Sequence, residues 1–205
     1  MGRAGALVLA VALAACGRGA EAPERVRAFA RKQFGRHYLG ITGQRKVSER
    51  VAALCQGCSF YNVKVGYDRP APNPIINELN YVIVGEKRAA AIRQPKDVAA
   101  FLSSLATPVP NELDAFRRAL VFAELAGGTL RTALPRKSII KQYQSQKQAD
   151  WDLVVSGHKA GWDVALTVMV DKAIDYCIRY RLRIEKTGAL AILERRVIYA
   201  YTLYE

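Results

Sequence analysis

The chain lacks an apolar run long enough to cross a membrane. Its uncharged apolar stretch near the N-terminus, Ala6 to Leu13, falls well short of the roughly 20 residues that a transmembrane helix needs. Low-complexity tracts are also absent, and 51% of the 205 residues are hydrophobic. A chain of this composition buries a core rather than remaining disordered. We therefore predict a folded domain without a membrane-spanning helix.

Motifs of the common enzyme classes are also missing. The sequence has no nucleophile elbow, phosphate-binding glycine loop, HExxH segment or calcium loop. Its two histidines, His37 and His158, do not stand at a spacing that supports a metal site. We therefore predict no catalytic residue, no metal and no cofactor, and we favour a non-enzymatic role over an enzyme.

The first sixteen residues have the order of a secretory signal. Arg3 gives a positive start, an apolar core follows, and the small residues Ala14 and Ala15 precede Cys16. The segment Leu13-Ala14-Ala15-Cys16 resembles the lipobox of bacterial lipoproteins. An ordinary signal peptide with a chance cysteine near its end is the alternative interpretation.

The lipobox resemblance implies a lipid anchor. In that family a diacylglycerol is attached to the cysteine, the signal is cut before it, and the new N-terminus is acylated. The resemblance therefore implies a signal peptide over residues 1–15, lipidation of Cys16 and a place in the bacterial cell envelope. Gly17 stands where an aspartate favours the inner membrane in enterobacterial lipoproteins, which implies the outer membrane in a Gram-negative cell.

Acidic residues are few, 18 against 31 lysines and arginines, and the formal net charge is +13. A charge of this size attracts anionic surfaces. For an exported protein these are lipid head groups, lipopolysaccharide phosphates or acidic cell-wall polymers, whereas nucleic acid is not an expected partner. The simpler interpretation is that the excess of basic residues merely keeps the domain soluble.

Three cysteines remain beside Cys16, namely Cys55, Cys58 and Cys177. The Cys55-Gln56-Gly57-Cys58 motif follows a helical pattern and precedes a strand, the reverse of a thioredoxin-type site. In an oxidising compartment we favour a local Cys55–Cys58 disulfide. A link from either residue to Cys177, and thiols that stay reduced or redox-active, remain open alternatives.

Hydrophobic periodicity predicts an α+β fold, with helices packed on a curved antiparallel meander sheet. We expect a tether at 16–23, a helix–strand half at 24–108 and a C-terminal half at 109–205. A proline-rich loop is expected at 68–77. Asn111 is expected to cap a helix whose buried stripe is Leu113, Phe116, Leu120 and Ala123. The predicted elements are helices at 24–36, 48–54, 95–105 and 111–127, and strands at 60–67, 79–84, 88–93, 151–156, 162–170, 174–185 and 189–201.

Alternation within the last strands predicts one buried face and one polar face. The hairpin RYRLRIEKTGALAILERRVIY is its clearest part. Through this hairpin and the order of elements, residues 111–205 resemble the cone-shaped fold of the nuclear-transport-factor and cystatin-like group. That resemblance implies a ligand pocket inside the curved sheet. Residues 24–105 also run from helices to strands, so two similar helix-then-sheet halves are one arrangement that the order of elements allows.

The polar face of this sheet carries a row of three arginines, Arg179, Arg181 and Arg183. Three guanidinium groups on one face form a candidate anion-binding site. Cross-strand ion pairing with Glu185 and Glu194 is the interpretation that we favour. Asp150 and Asp152 are expected to be solvated. His158, Trp151 and Trp162 could border a pocket, although a surface loop and core packing are the simpler expectation.

The sequence thus predicts a membrane-anchored envelope lipoprotein that binds a ligand or partner or has a structural role. The alternative is an enzyme whose pocket lies inside the C-terminal sheet. The expected partners are the membrane, through the lipid and through anionic head groups, and an unidentified protein or small molecule.

Overall fold

The computed structural model describes residues 22–66, 79–86, 88–131, 143–144, 148–171 and 176–200. Cys16, the signal segment and the proline-rich loop predicted at 68–77 lie outside the described residues. The described helices are α1 (Glu24–Phe34), α2 (Glu49–Leu54), α3 (Pro95–Ser104) and α4 (Glu112–Leu125).

Two antiparallel sheets accompany these helices, and the predicted α+β fold is confirmed. The first sheet has the order β1-β2-β3-β4, with strands at Tyr38–Gln44, Ser59–Val65, Tyr81–Val84 and Ala89–Ile92. The second has the order β5-β8-β9-β10-β6, and β7 pairs with the free half of β8. Its strands are β5 (Thr129–Arg131), β6 (Tyr143–Gln144), β7 (Val154–His158), β8 (Gly161–Asp171), β9 (Tyr176–Glu185) and β10 (Leu190–Ala200).

The predicted meander corresponds to β7 through β10, with two differences. The short strands β5 and β6 at the sheet edges are additional. The strand expected at 151–156 begins only at Val154, because Trp151 follows a 3-10 turn at Gln148–Asp150 and is fully buried. The predicted alternation holds on β9, where the side chains of Ile178, Tyr180 and Leu182 are buried.

One apolar core joins both parts of the chain. Helix α3 contacts β4 of the first sheet and β10 of the second, while α4 packs on β8. Side chains from both sheets therefore share the same buried cluster. On the far side of the first sheet, α1 packs Val26, Ala30 and Phe34 against Val63 and Val82. Segments 24–108 and 109–205 thus both contribute side chains to the main core.

The β9–β10 turn packs against the connection between α3 and α4. Gly188 has φ +90°, and a Cβ there would meet the Thr107 carbonyl oxygen at 2.1 Å, so only glycine fits. The Val109 N–H donates to the Lys186 carbonyl oxygen at 2.9 Å. These contacts fix the connection between α3 and α4 beside the N-terminal half of α4.

Candidate functional site

Helix α4 presents two different apolar faces. Asn111 caps it as predicted, since its Oδ1 accepts the Asp114 N–H at 2.9 Å. The predicted buried stripe is wrong, however: Leu113 is 54% exposed, and Phe116 and Leu120 are only half-buried. Of that stripe, Ala123 alone is in the core.

The buried face of α4 instead carries alanines at helical spacing between larger side chains. Ala115, Ala119 and Ala123 recur along it, and Phe122 packs edge-on against the Tyr180 ring at 5.2 Å. Alanine allows the helix backbone to approach the sheet closely, while the fully buried Phe122 and Leu125 fill the remaining space. The bulkier residues of the predicted stripe therefore face away from the sheet.

These bulkier residues line a groove between α2 and α4 with a volume of about 580 Å³. That volume lies within the range of small-molecule sites, roughly 300–1,000 Å³. Its lining is mainly apolar and comes from α2, from α4 and from the connection between α3 and α4. The lining residues are Arg50, Ala53, Leu54, Pro108, Val109, Leu113, Asp114, Phe116, Arg117, Arg118, Leu120 and Val121.

Helix α2, which forms one wall, is fastened at both ends. At its start, the Ser48 N–H and hydroxyl donate to the two Glu124 carboxylate oxygens at 2.7 and 2.6 Å. At its end, Cys55 and Cys58 form a disulfide, with their Cα atoms 5.5 Å apart. Cys177 is buried in a separate cluster on the outer face of the second sheet. The hydrogen bonds from Ser48 therefore hold the start of this wall against α4, while the disulfide ties its end to the residue before β2.

The C-terminal end of α4 is also tied to the first sheet. The Tyr81 hydroxyl donates to the Leu125 carbonyl oxygen at 2.7 Å, which satisfies one of the carbonyls that a helix end leaves without a partner. Burial raises the pKa of the Tyr81 hydroxyl, so it stays a donor at neutral pH. Arg45 stacks on the same ring, 4.5 Å from its centroid. These contacts hold α4 between the two sheets.

The groove carries three arginines against one acid. Asp114 is already engaged, because its carboxylate accepts Arg117 at 3.2 Å and the Asn111 amide at 2.8 Å. Arg50 is exposed on α2 and has neither a hydrogen bond nor an ion pair within the described part of the chain. The net charge of the lining is therefore positive.

Arg118 is the unusual member of this group, since only 4% of it is exposed. Its guanidinium donates to the carbonyl oxygens of Leu102 at 3.2 Å and Thr107 at 2.7 Å, near the C-terminal end of α3. Burial lowers the pKa of this guanidinium, but an arginine remains charged at neutral pH. No carboxylate among the described residues pairs with it.

The predicted arginine row divides into two parts. Arg181 and Arg183 converge on Asp163, with N–O distances of 3.2 and 3.0 Å. These contacts hold the pKa of the Asp163 carboxyl below its usual range, the hydrogen bond from Arg183 being the largest cause. The expected partners, Glu185 and Glu194, are not the ones used. Sequence analysis missed Asp163, although its position next to inward-facing Trp162 places it on the polar face.

The third member of the row, Arg179, is buried beside the segment that carries Asp150 and Asp152. Its guanidinium donates to the Asp152 carbonyl oxygen. Asp150, expected to be solvated, is only 6% exposed and accepts a hydrogen bond from Arg196. The reason is the neighbouring Trp151, which buries this segment against the outer face of the sheet.

The residues proposed as a pocket border are not brought together. Trp151 lies in the cluster on the outer face of the second sheet, whereas Trp162 belongs to the core on its inner face. His158 is a surface residue whose Nε2 lies 3.6 Å from the Asp163 carboxylate. His37 is distant from these groups along the chain, and its Nδ1 lies 3.1 Å from the Gly66 carbonyl oxygen.

The described residues contain no group of three histidine, cysteine or acidic side chains that would hold a metal ion. Among the same residues, no helix combines the length and apolar character needed to cross a membrane. Comparison with known proteins finds no matching family model, no matching curated protein and no matching solved structure.

Proposed function

We propose that this chain is a cell-envelope lipoprotein, anchored by a lipid on Cys16, whose domain binds a ligand through the α2–α4 groove. The observation that carries the binding role is the apolar stripe of α4, which stays outside the core and lines the groove. A concave and mainly apolar surface of this size is the usual form of a small-molecule binding site. The lipobox resemblance supports the anchor and an outer-membrane location in a Gram-negative cell.

A preformed groove favours ligand binding over a purely structural role. The Ser48–Glu124 contacts and the Cys55–Cys58 disulfide fasten α2 at both ends. A site whose walls are already ordered loses little conformational entropy on binding. The rigid wall therefore supports ligand affinity, which a mere spacer domain would not need.

The enzyme alternative has less support. An active-site pocket inside the curved sheet would need polar groups on the inner face of the sheet. On that face Val164, Leu166 and Leu182 are fully buried in the shared core beneath the helices, and the Tyr180 ring packs against Phe122. The groove lies on the opposite side of α4, away from that face.

The anchor would keep the domain close to its membrane. From Gly17 to Pro23 there are seven residues, which reach about 25 Å at most. Without residues 1–15 the side-chain charge falls from +13 to +12, because Arg3 is the one charged residue removed. Anionic head groups within a Debye length would attract such a domain. We therefore include head-group contact in the proposal.

Metabolic labelling with a radiolabelled lipid precursor tests the anchor. We expect the wild-type chain to be labelled and the Cys16→Ser variant to remain unlabelled. Label that survives Cys16→Ser would contradict lipidation at this residue.

A neutral apolar dye, Nile red, tests the groove. We expect its emission to rise on binding to the full chain carrying Cys16→Ser, which removes the attached lipid as a competitor. Adding Leu113→Asp places a charge in the groove and should weaken dye binding about tenfold, because a carboxylate is costly to desolvate. Leu39→Asp is the matched control, since Leu39 is 60% exposed on β1 outside the groove lining. Equal dye binding by both variants would contradict the groove as the site.

A further inference from the structure

We infer that the groove selects a long-chain carboxylate, with the acyl chain on the apolar stripe of α4 and the carboxylate facing Arg50 and Arg118. This inference rests on the proposed function, which assigns ligand binding to the groove, and adds the chemical class of the ligand. The apolar part of the groove lining supports ligand binding, and its charged residues support the choice of a carboxylate.

The buried guanidinium of Arg118 lacks a carboxylate partner among the described residues. Long charged side chains are almost never nine-tenths buried without a charged partner, and Arg118 lines an apolar groove with only two backbone carbonyls as acceptors. A guanidinium has five N–H donors, so these two carbonyls leave donors available. An anionic ligand would complete the set.

The other charged residues of the groove lining do not all have a partner. Asp114 is bound to Arg117, so these two nearly neutralise each other. Arg50 on the facing wall has no such partner among the described residues. Two positive charges therefore remain on opposite walls, Arg50 on α2 and Arg118 on α4. A single anionic head group between them would compensate both.

The dimensions of the groove limit the shape of its ligand. The stripe formed by Leu113, Phe116 and Leu120 runs along about two turns of α4, and Leu54 faces it from α2. A volume of about 580 Å³ suits one drug-sized molecule or one acyl chain rather than a two-chain membrane lipid. A ligand with one long apolar chain and one anionic end fits this groove, and a long-chain carboxylate has this form.

Competition for bound Nile red tests this selectivity in the full chain carrying Cys16→Ser. Hexadecanoate and hexadecan-1-ol have chains of equal length and differ in the charge of the head group. We expect hexadecanoate to displace the dye at a concentration about tenfold lower than the alcohol. The reason is that charge-assisted hydrogen bonds to a desolvated arginine are strong.

Substitutions of the groove arginines test whether the preference for hexadecanoate arises in the groove. Arg50→Gln should reduce the preference for hexadecanoate about threefold to fivefold and leave the affinity for hexadecan-1-ol unchanged. Arg118→Lys keeps the charge and should retain part of the preference, whereas Arg118→Gln should lose most of it. Arg181→Gln, an exposed arginine of the second sheet, is the matched control and should leave the preference unchanged. If Arg118→Gln does not fold, the Arg50→Gln variant and the comparison of hexadecanoate with hexadecan-1-ol still test the carboxylate selectivity.

Each of the other outcomes contradicts a defined part of the proposal. Equal displacement by acid and alcohol would overturn the carboxylate selectivity while leaving the groove as a ligand site. Failure of the dye and both competitors to bind would overturn the proposed function as well. A dimer of the Cys16→Ser chain that Leu113→Asp dissociates would assign the groove to a second copy and overturn the inference.

Discussion

The two faces of α4 differ in a way that hydrophobicity alone does not reveal. One face bears alanines and Phe122 and is buried against the second sheet. The other bears Leu113, Phe116 and Leu120, which are more apolar than alanine, and it lines the groove. The comparison shows that close approach of a helix to a sheet can decide which face enters the core. The bulkier face then becomes available for binding.

The largest difference between the faces should appear in stability. Phe122→Ala removes a fully buried ring that packs on Tyr180, and we expect a loss of about 3–5 kcal/mol. Phe116→Ala removes a ring from the groove face and should cost less than about 1.5 kcal/mol. Urea denaturation of both variants measures these costs. Similar losses for the two phenylalanines would contradict the assignment of faces.

The next largest effect concerns the wall opposite α4. Glu124→Gln weakens two hydrogen bonds from Ser48 to a charged acceptor, and we expect a loss of about 1–3 kcal/mol. Nile red binding should weaken as well, because α2 loses its attachment at one end. Glu112→Gln, an exposed glutamate in the first turn of α4, is the control, with an expected loss below about 1 kcal/mol. Equal losses in Glu124→Gln and Glu112→Gln would contradict the role of Glu124.

The polar face of the second sheet provides a comparison that does not involve the groove. Folding lowers the pKa of Asp163, so its contribution to stability is present above the unfolded pKa and disappears as pH falls through the lowered value. Asp163→Asn should lower Tm by about 1–2 °C at pH 7 and have a smaller effect in strong acid. Dye binding should not change. Calorimetry at pH 7 and pH 2 measures the difference, and an equal Tm effect at both would contradict the ion cluster.

The smallest stability effect should come from Leu113→Asp. Leu113 is 54% exposed and lies in the first turn of α4, where a negative charge interacts favourably with the helix dipole. We therefore expect a change within about 0.5 kcal/mol, measured by urea denaturation. A loss above about 2 kcal/mol would place Leu113 in the core and remove the distinction between the faces.

Much of the fold could be predicted from the sequence because strand alternation is a strong local signal. The inward faces of β8 and β9 follow from it directly. The Asn111 cap of α4 follows from another local signal, the preference for asparagine at helix N-termini. The groove could not be predicted, since periodicity alone marks Leu113 and Phe116 as core. That they lie outside depends on the close fit of Ala115 and Ala119 to the sheet, which is a tertiary contact.

The partners and the burial of the charged residues could not be predicted from the local sequence either. The sequence indicated that Arg181 and Arg183 share a face, but their partner Asp163 stands on another strand and depends on register. The burial of Asp150 depends on Trp151 lying across the sheet, which no local pattern encodes. The burial of Arg118 likewise follows from the packing of α3 against α4.

Nuclear Overhauser effects between hexadecanoate and the full chain carrying Cys16→Ser test the central claim most directly. Methyl groups of Leu54, Leu113 and Leu120 should show cross-peaks to the methylene protons of the ligand, because they line the groove. The Ala119 methyl group, on the buried face of the same helix, should show none. Cross-peaks to Ala119 without any to Leu113 and Leu120 would contradict the assignment of the binding face.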